Sequence, residues 1–271
     1  MSWQFEKVAG PYKGPTVGVA WDGNAIYFTT TVDGQIFRMD AASGAISEYR
    51  RYQRRMTGIG FAPDGDFFGC QEGSRRIVQF MKDGSTRTTA SFFDGRIHNY
   101  PNDLCVDKSG RVWFSDAYHP VPSLGITRPP LEHSSVLRLE RDANRAWQLV
   151  RITHDTNSPR AVLLSPDEKT LYVSHGEAGG SEHCELRAYP VRPDGSVGDP
   201  VSLVTFGRDD RGTHRGIEGM ALDSEGNLVA CAGSRACGPG PVVQVISPAG
   251  LVLESHPLPF DLPMQIGRAH V

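Results

Sequence analysis

The sequence predicts an all-β chain folded as one β-propeller. Three observations carry the prediction: a strand–turn–strand unit recurs five times, the copies stand about 50 residues apart on average, and no apolar run of useful length keeps the period of a helix. In chain order the unit reads GVAWDGNAIYFT from Gly18, GFAPDGDFFGC from Gly60, DLCVDKSGRVWFSD from Asp103, AVLLSPDEKTLYVS from Ala161 and GMALDSEGNLVACAG from Gly219. Each copy starts apolar, turns on an Asp that is usually followed by Gly, and resumes as an apolar-aromatic strand. Asp and Gly supply turn dihedrals, and the flanking residues suit a buried sheet. Between the hairpins lie further strands, GQIFRMD from Gly34, RRIVQFMKDG from Arg75, SSVLRLERD from Ser134, CELRAYPVRPDG from Cys184 and PVVQVISPAG from Pro241. With an outermost strand after each, every blade has about four strands.

Composition sets limits on partners. With 271 residues, 39% of them hydrophobic, 30 Gly and 19 Pro, the chain is turn-rich and has ample material for a core. A net charge of −3 gives no basic field for nucleic acid. The local cluster Arg50, Arg51, Arg54 and Arg55 reads as a solvated blade edge that discourages strand addition. No apolar run is long enough for a membrane span, and MSWQFEKVAG has no signal-peptide core. A cytoplasmic monomer is expected, with the periplasm left open. The five cysteines, Cys70, Cys105, Cys184, Cys231 and Cys237, are scattered and form no CxxC pair, so they read as buried free thiols.

The segment NYPNDLCVDKSGRVWFSDAYH, from Asn99 to His119, resembles the third-blade signature of the SMP-30/gluconolactonase/luciferin-regenerating-enzyme family. SPRAVLLSPDEKTLYVSHG from Ser158 and HRGIEGMALDSEGNLVACAG from His214 resemble two further blades of it, and the likeness runs from about Thr16 to Pro259. The resemblance implies a six-bladed propeller that hydrolyses lactones with a divalent cation held by oxygen ligands at inner-strand starts. Six blades need roughly 300 residues, so the sixth is expected to be truncated. Residues 1–264 are then a single β-propeller domain with an incomplete sixth blade, to which Trp3 to Val8 contribute an outer strand. The final IGRAHV matches the translated read of a common sequencing-library adapter. Residues 265–271 are therefore expected to be a non-native tail, with the natural chain continuing past Met264.

Carried over residue by residue, the resemblance makes Asn102 and Glu218 the metal ligands, Glu218 standing where the family usually has Asp. Arg160 replaces a ligand Asn, and Val17 falls where a Glu is expected. Glu218 or Asp103 is the catalytic base that activates water. Arg160 holds a substrate carboxylate or oxyanion, or instead pairs with Glu218 in the metal's place. Tyr100 stacks on a sugar ring or packs on its own blade. His119 and His175 end strands and line the substrate pocket or satisfy loop carbonyls, and His98 and His214 fall in the loops before blades three and five. The expected function is metal-dependent hydrolysis of a small lactone or sugar-acid-like substrate, by attack of activated water on the ring ester carbonyl. The cation is of the Ca²⁺ or Zn²⁺ class. The alternative is a non-catalytic ligand-binding propeller that has lost its axial metal.

Overall fold

At the repeated turns, the Asp side chains organise the backbone as the sequence suggests. Asp107 Oδ1 accepts the backbone N–H groups of Ser109 and Arg111, both at 2.9 Å, and its Oδ2 accepts the Trp113 indole N–H at 2.9 Å. Asp22 and Asp223 hold their own turns in the same way, through Asn24 and Ala25 and through Glu225 and Asn227. Gly110, at φ 77°, takes the left-handed position that closes the third of these turns. Hairpins built on such turns are the units of the fold. The computed structural model describes residues 3–117, 131–176 and 182–267. The chain divides into two compact units, Gly14–Val162 and Met1–Lys13 with Leu163–Val271.

In the first unit, blade one is β1 (Thr16–Trp21), β2 (Ala25–Thr30), β3 (Gln35–Asp40) and β4 (Ile46–Arg50). Blade two is β5 (Met56–Phe61), β6 (Phe67–Gln71), β7 (Arg76–Phe80) and β8 (Thr86–Thr88). A two-stranded hairpin, β9 (Phe92–Phe93) and β10 (Arg96–Ile97), precedes blade three. That blade is β11 (Tyr100–Val106), β12 (Val112–Ala117), β13 (Ser135–Arg141) and β14 (Trp147–Arg151). Strands in each blade pair antiparallel in sequence order. First strands of neighbouring blades abut, β1 on β5 and β5 on β11. Apolar faces close between blades: Tyr27, Ile36, Met56, Phe67 and Val78 form one core cluster, and Phe68, Ile77, Leu104, Phe114 and Leu137 another. The fourth strands β4 and β8 are mostly exposed; of the basic cluster, Arg51 pairs with Glu48 of β4, and Arg55, just before β5, pairs with Glu72, just after β6.

Hydroxyl groups latch one first strand to the next. Gly18 N–H donates to Thr29 Oγ1 at 2.8 Å, and that hydroxyl donates to the Thr57 carbonyl at 3.0 Å. Thr57 donates in turn to the Pro101 carbonyl at 3.2 Å. In blade three Ser115 Oγ accepts the Asp103 N–H at 3.1 Å and donates to the Arg160 carbonyl at 2.5 Å. These bonds satisfy buried backbone groups that no ladder reaches.

In the second unit, blade four is β15 (Val162–Leu164), β16 (Thr170–His175), β17 (Glu185–Pro190) and β18 (Val201–Thr205). The hairpin β19 (Arg208–Asp209) and β20 (Gly212–Thr213) precedes blade five, which is β21 (Ile217–Leu222), β22 (Leu228–Ala232), β23 (Val242–Ile246) and β24 (Val252–Pro257). The fold is thus an all-β propeller with five blades present. The strand expected over Trp3 to Val8 does not form. Its alternation finds no ladder partner, and rings make the attachment instead. Trp3 stacks on His256 of β24 with centroids 4.4 Å apart, and Phe5 packs against Val229, Cys231, Val243 and Leu258. Among the described residues no helix is long and apolar enough to cross a membrane.

All five cysteines are free. Burial pushes the Cys231 thiol up to about 12, and burial together with the Asp103 and Asp116 carboxylates raises Cys70 well above the usual thiol range. A thiol-specific chromogen at pH 8 is expected to label at most the partly exposed Cys105 in the native chain, and all five cysteines after unfolding in guanidinium. Rapid native labelling of Cys70 or Cys231, read by peptide mapping, would contradict the burial. The sign for stability follows. Below pH 9 both states keep the Cys231 proton, whereas between about 9 and 12 only the unfolded chain loses it, so stability falls across that window.

Candidate functional site

A recurring break in the ladder presents the candidate residues. Register slips between Thr16 and Val19 in β1, Met56 and Ile59 in β5, Pro101 and Leu104 in β11, and Ile217 and Gly219 in β21. Such bulges place an unpaired residue in a strand and re-aim its side chain. Val17, Asn102 and Glu218 fall in three of them. Thr57 falls in the fourth; the motifs do not single it out, but its spacing before Phe61 equals that of Val17, Asn102 and Glu218 before Trp21, Val106 and Leu222. Arg160 lies two residues before β15. Gly58 makes the packing of bulge on bulge possible, because a Cβ there would stand 2.7 Å from Asp103 Cα and 2.9 Å from the Asn102 carbonyl oxygen.

Asn102 is carried by a tightly bonded loop. Buried Arg75, at φ 52°, donates from Nε to the carbonyls of His98 at 3.0 Å and Asn99 at 3.2 Å. Its guanidinium lies 5.3 Å from the centroid of Tyr100, which is itself buried, a cation–π contact within the blade. From the other side the Asp116 carboxylate accepts the Asn99 N–H at 2.6 Å and lies 2.9 Å from His98 Nδ1. His98 and Asp116 are fully buried. Asp103, the neighbour of Asn102, is also buried, and its Oδ2 accepts the Val162 N–H at 3.2 Å. That bond ties β11 to the start of β15.

Blade five repeats this design with different chemistry. The β9–β10 hairpin ends at His98, four residues before Asn102, and the β19–β20 hairpin ends at His214, four residues before Glu218. Each His closes its hairpin through its backbone, His98 N–H to the Ser91 carbonyl at 3.1 Å and His214 N–H to the Gly207 carbonyl at 2.9 Å. The His214 ring lies against Gly207 and Gly238, where side chains would collide with it. Beside it, the Gly238 N–H and the Arg211 guanidinium hold the Asp209 carboxyl down at about 2. Glu218 is buried and takes a guanidinium from Arg215, whose Nε donates to Oε1 at 2.9 Å. Arg215 Nη2 reaches the Met264 sulfur at 3.4 Å. Arg215, three residues before Glu218, belongs to no motif of the sequence, and its position is the signal that would find it. Opposite Gly219 packs Gln265. His175 is the buried last residue of β16 and faces Glu185 of β17. His119 lies outside the described residues.

Among the described residues no three His, Cys, Asp or Glu side chains converge as a metal centre. The donor chemistry at the bulges agrees. Val17 offers no side-chain oxygen, Thr57 offers a single neutral hydroxyl, and the Glu218 carboxylate is held by Arg215. A Ca²⁺-like ion takes about six to eight oxygens, some of them from water, and with Arg215 on Glu218 none of these bulges fits one as it stands.

A family profile described as SMP-30/gluconolactonase/LRE-like region matches residues 15–266. The gluconolactonase of Zymomonas mobilis is 30% identical over 186 residues, which cover 65% of this chain and 48% of that enzyme. The chain thus spans about half the length of this curated relative. Among solved structures, the gluconolactonase XC5397 of Xanthomonas campestris superposes with a TM-score of 0.75 at 25% identity, over 92% of this chain and 78% of that one. The calcium-binding protein regucalcin of Agrobacterium tumefaciens has a TM-score of 0.70 at 14% identity, over 93% and 77%, which is a likeness of fold.

Proposed function

The chain belongs to the SMP-30/gluconolactonase/LRE-like family, and from that premise we propose that it hydrolyses a small cyclic ester, a lactone of the sugar-acid kind. The observation that carries this reading is the repeated device of blades three and five. In both, a hairpin, a His that closes it through its backbone N–H and a bulge bring forward one oxygen-bearing side chain, Asn102 or Glu218. Opening a lactone needs a base for the attacking water and a donor for the oxyanion that forms on the carbonyl. Arg160 and the Asn102 amide are assigned to the carbonyl oxygen, and a carboxylate, Glu218 or Asp103, to the water. Asp103 also positions Asn102, because its carboxylate and backbone are bonded to Val162 and Ser115. His175, His119 and Tyr100 are assigned to the walls of the substrate pocket, Tyr100 also holding Arg75 over the Asn102 loop. The substrate binds to a monomer.

The Arg215 contact to Glu218 favours a second reading, a binding propeller without turnover. Acid release from a panel of aldonolactones separates the two. We expect the unaltered chain to exceed the buffer rate, and Asn102→Ala and Glu218→Gln each to lose about a hundredfold or more in kcat/KM. Saturable lactone binding without hydrolysis would instead establish the binding propeller.

A further inference from the structure

We infer that Arg215 supplies Glu218 with the counter-charge that a divalent cation would otherwise bring, so that blade five takes up such a cation only when this guanidinium is removed. The inference rests on Glu218 being a site carboxylate, as proposed above, and its support is internal to the chain. Blades three and five share a loop design, and the residue three before the bulge side chain is Asn99 in one and Arg215 in the other. In blade three that loop is tied to Asp116, which sits opposite Pro101 in the ladder. The equivalent position in blade five, opposite Ile217, is Ala232. Without a carboxylate on β22 to receive it, the Arg215 guanidinium turns to Glu218, with Nε and Oε1 2.9 Å apart and the two side chains 16% and 3% exposed. Met264 holds the other end of the fork.

Two consequences follow from burial. A carboxylate this far from water needs a partner, and Arg215 is already that partner. A divalent ion arriving at Glu218 would have to expel a guanidinium that is itself largely buried, leaving that charge uncompensated. The ion then gains little and displaces much.

Titration calorimetry of Ca²⁺ and Mn²⁺ into chelator-treated chain tests this without reference to turnover. The unaltered chain is expected to give no saturable heat, and Arg215→Met to gain at least about tenfold in affinity. Arg215→Met/Glu218→Gln is expected to lose that gain, and Arg215→Lys, which keeps a cation, to resemble the unaltered chain. Tight binding by the unaltered chain that Arg215→Met leaves unchanged would overturn the inference, as would an Arg215→Met site indifferent to Glu218→Gln. If Arg215→Met fails to fold, the melting temperature of the unaltered chain decides: equal values in Ca²⁺ and in chelator support the inference, and a rise with Ca²⁺ defeats it. Absent lactone hydrolysis would sink the enzyme reading while leaving these titrations to stand.

Discussion

Gly58→Ala is expected to lower the melting temperature by about 10 °C, a loss of about 3 kcal/mol. The added methyl would lie 2.7 Å from Asp103 Cα, 2.9 Å from the Asn102 carbonyl oxygen and 3.0 Å from Asp103 Oδ1. None of these atoms has room to retreat. Asp103 is fixed through its N–H to Ser115 and through its carboxylate to the Val162 N–H, so the strain would pass into β11 and displace Asn102. Hydrolysis should therefore fall even at temperatures where the variant remains folded. Gly60→Ala is the internal control. Its methyl would meet Leu104 Cδ1 at 2.8 Å, the far end of a side chain that can turn aside, and a smaller loss is expected. Scanning calorimetry of both variants checks the ordering, and a Gly58→Ala protein melting within a degree or so of the parent would show that the bulges are not in contact as described.

Asp116→Ala is expected to cost about 4 kcal/mol in urea unfolding, because it removes one acceptor from two buried donors. The Asn99 N–H and His98 Nδ1 would both be stranded at zero exposure, with the Phe114 ring 5.4 Å from the imidazole and no path to solvent. Asp116→Asn keeps one acceptor oxygen and should recover about half of the loss. The same pair of variants reports on the site. With the loop released from Asp116, it keeps only its bonds to Arg75 and to the Ser91 and His133 carbonyls among those described, so substrate affinity should weaken in Asp116→Ala before the chain unfolds. An alanine variant as stable as the parent would mean that His98 and Asn99 find other partners.

The blades were legible in the sequence because their turn chemistry repeats: Asp22, Asp107 and Asp223 each announce a hairpin through the bonds their oxygens make. Trp3 to Val8 misled for the complementary reason. Alternation describes side chains, whereas a strand needs a neighbour with open N–H and C=O groups, and the pattern cannot name one. The short hairpins before blades three and five went unread, yet Asp94-Gly95, both at positive φ between Phe93 and Arg96, is a strong two-residue turn signal. The resemblance pointed to Asn102, Glu218 and Asp103, but contacts decide their chemistry. Nothing in the motif says that Tyr100 lies under Arg75, that Asp103 Oδ2 accepts the Val162 N–H, or that Arg215 reaches Glu218.

The slipped register of the first strands separates two tasks that usually compete for the same residues. Side chains of an ordinary strand are bound to a two-residue rhythm, so changing one from apolar to charged disturbs the sheet that displays it. At the bulges that rhythm is suspended for one step. The residues two further on, Val19, Ile59, Leu104 and Met220, are all apolar, the last three of them buried, while the bulge residues range from Val17 through Thr57 and Asn102 to Glu218. Within a single chain, the same architectural address has accepted a hydrocarbon, an alcohol, an amide and an acid. Chemical identity at these points is set with little demand on the ladder around it, so a propeller organised in this way can exchange a reactive group without rebuilding its walls.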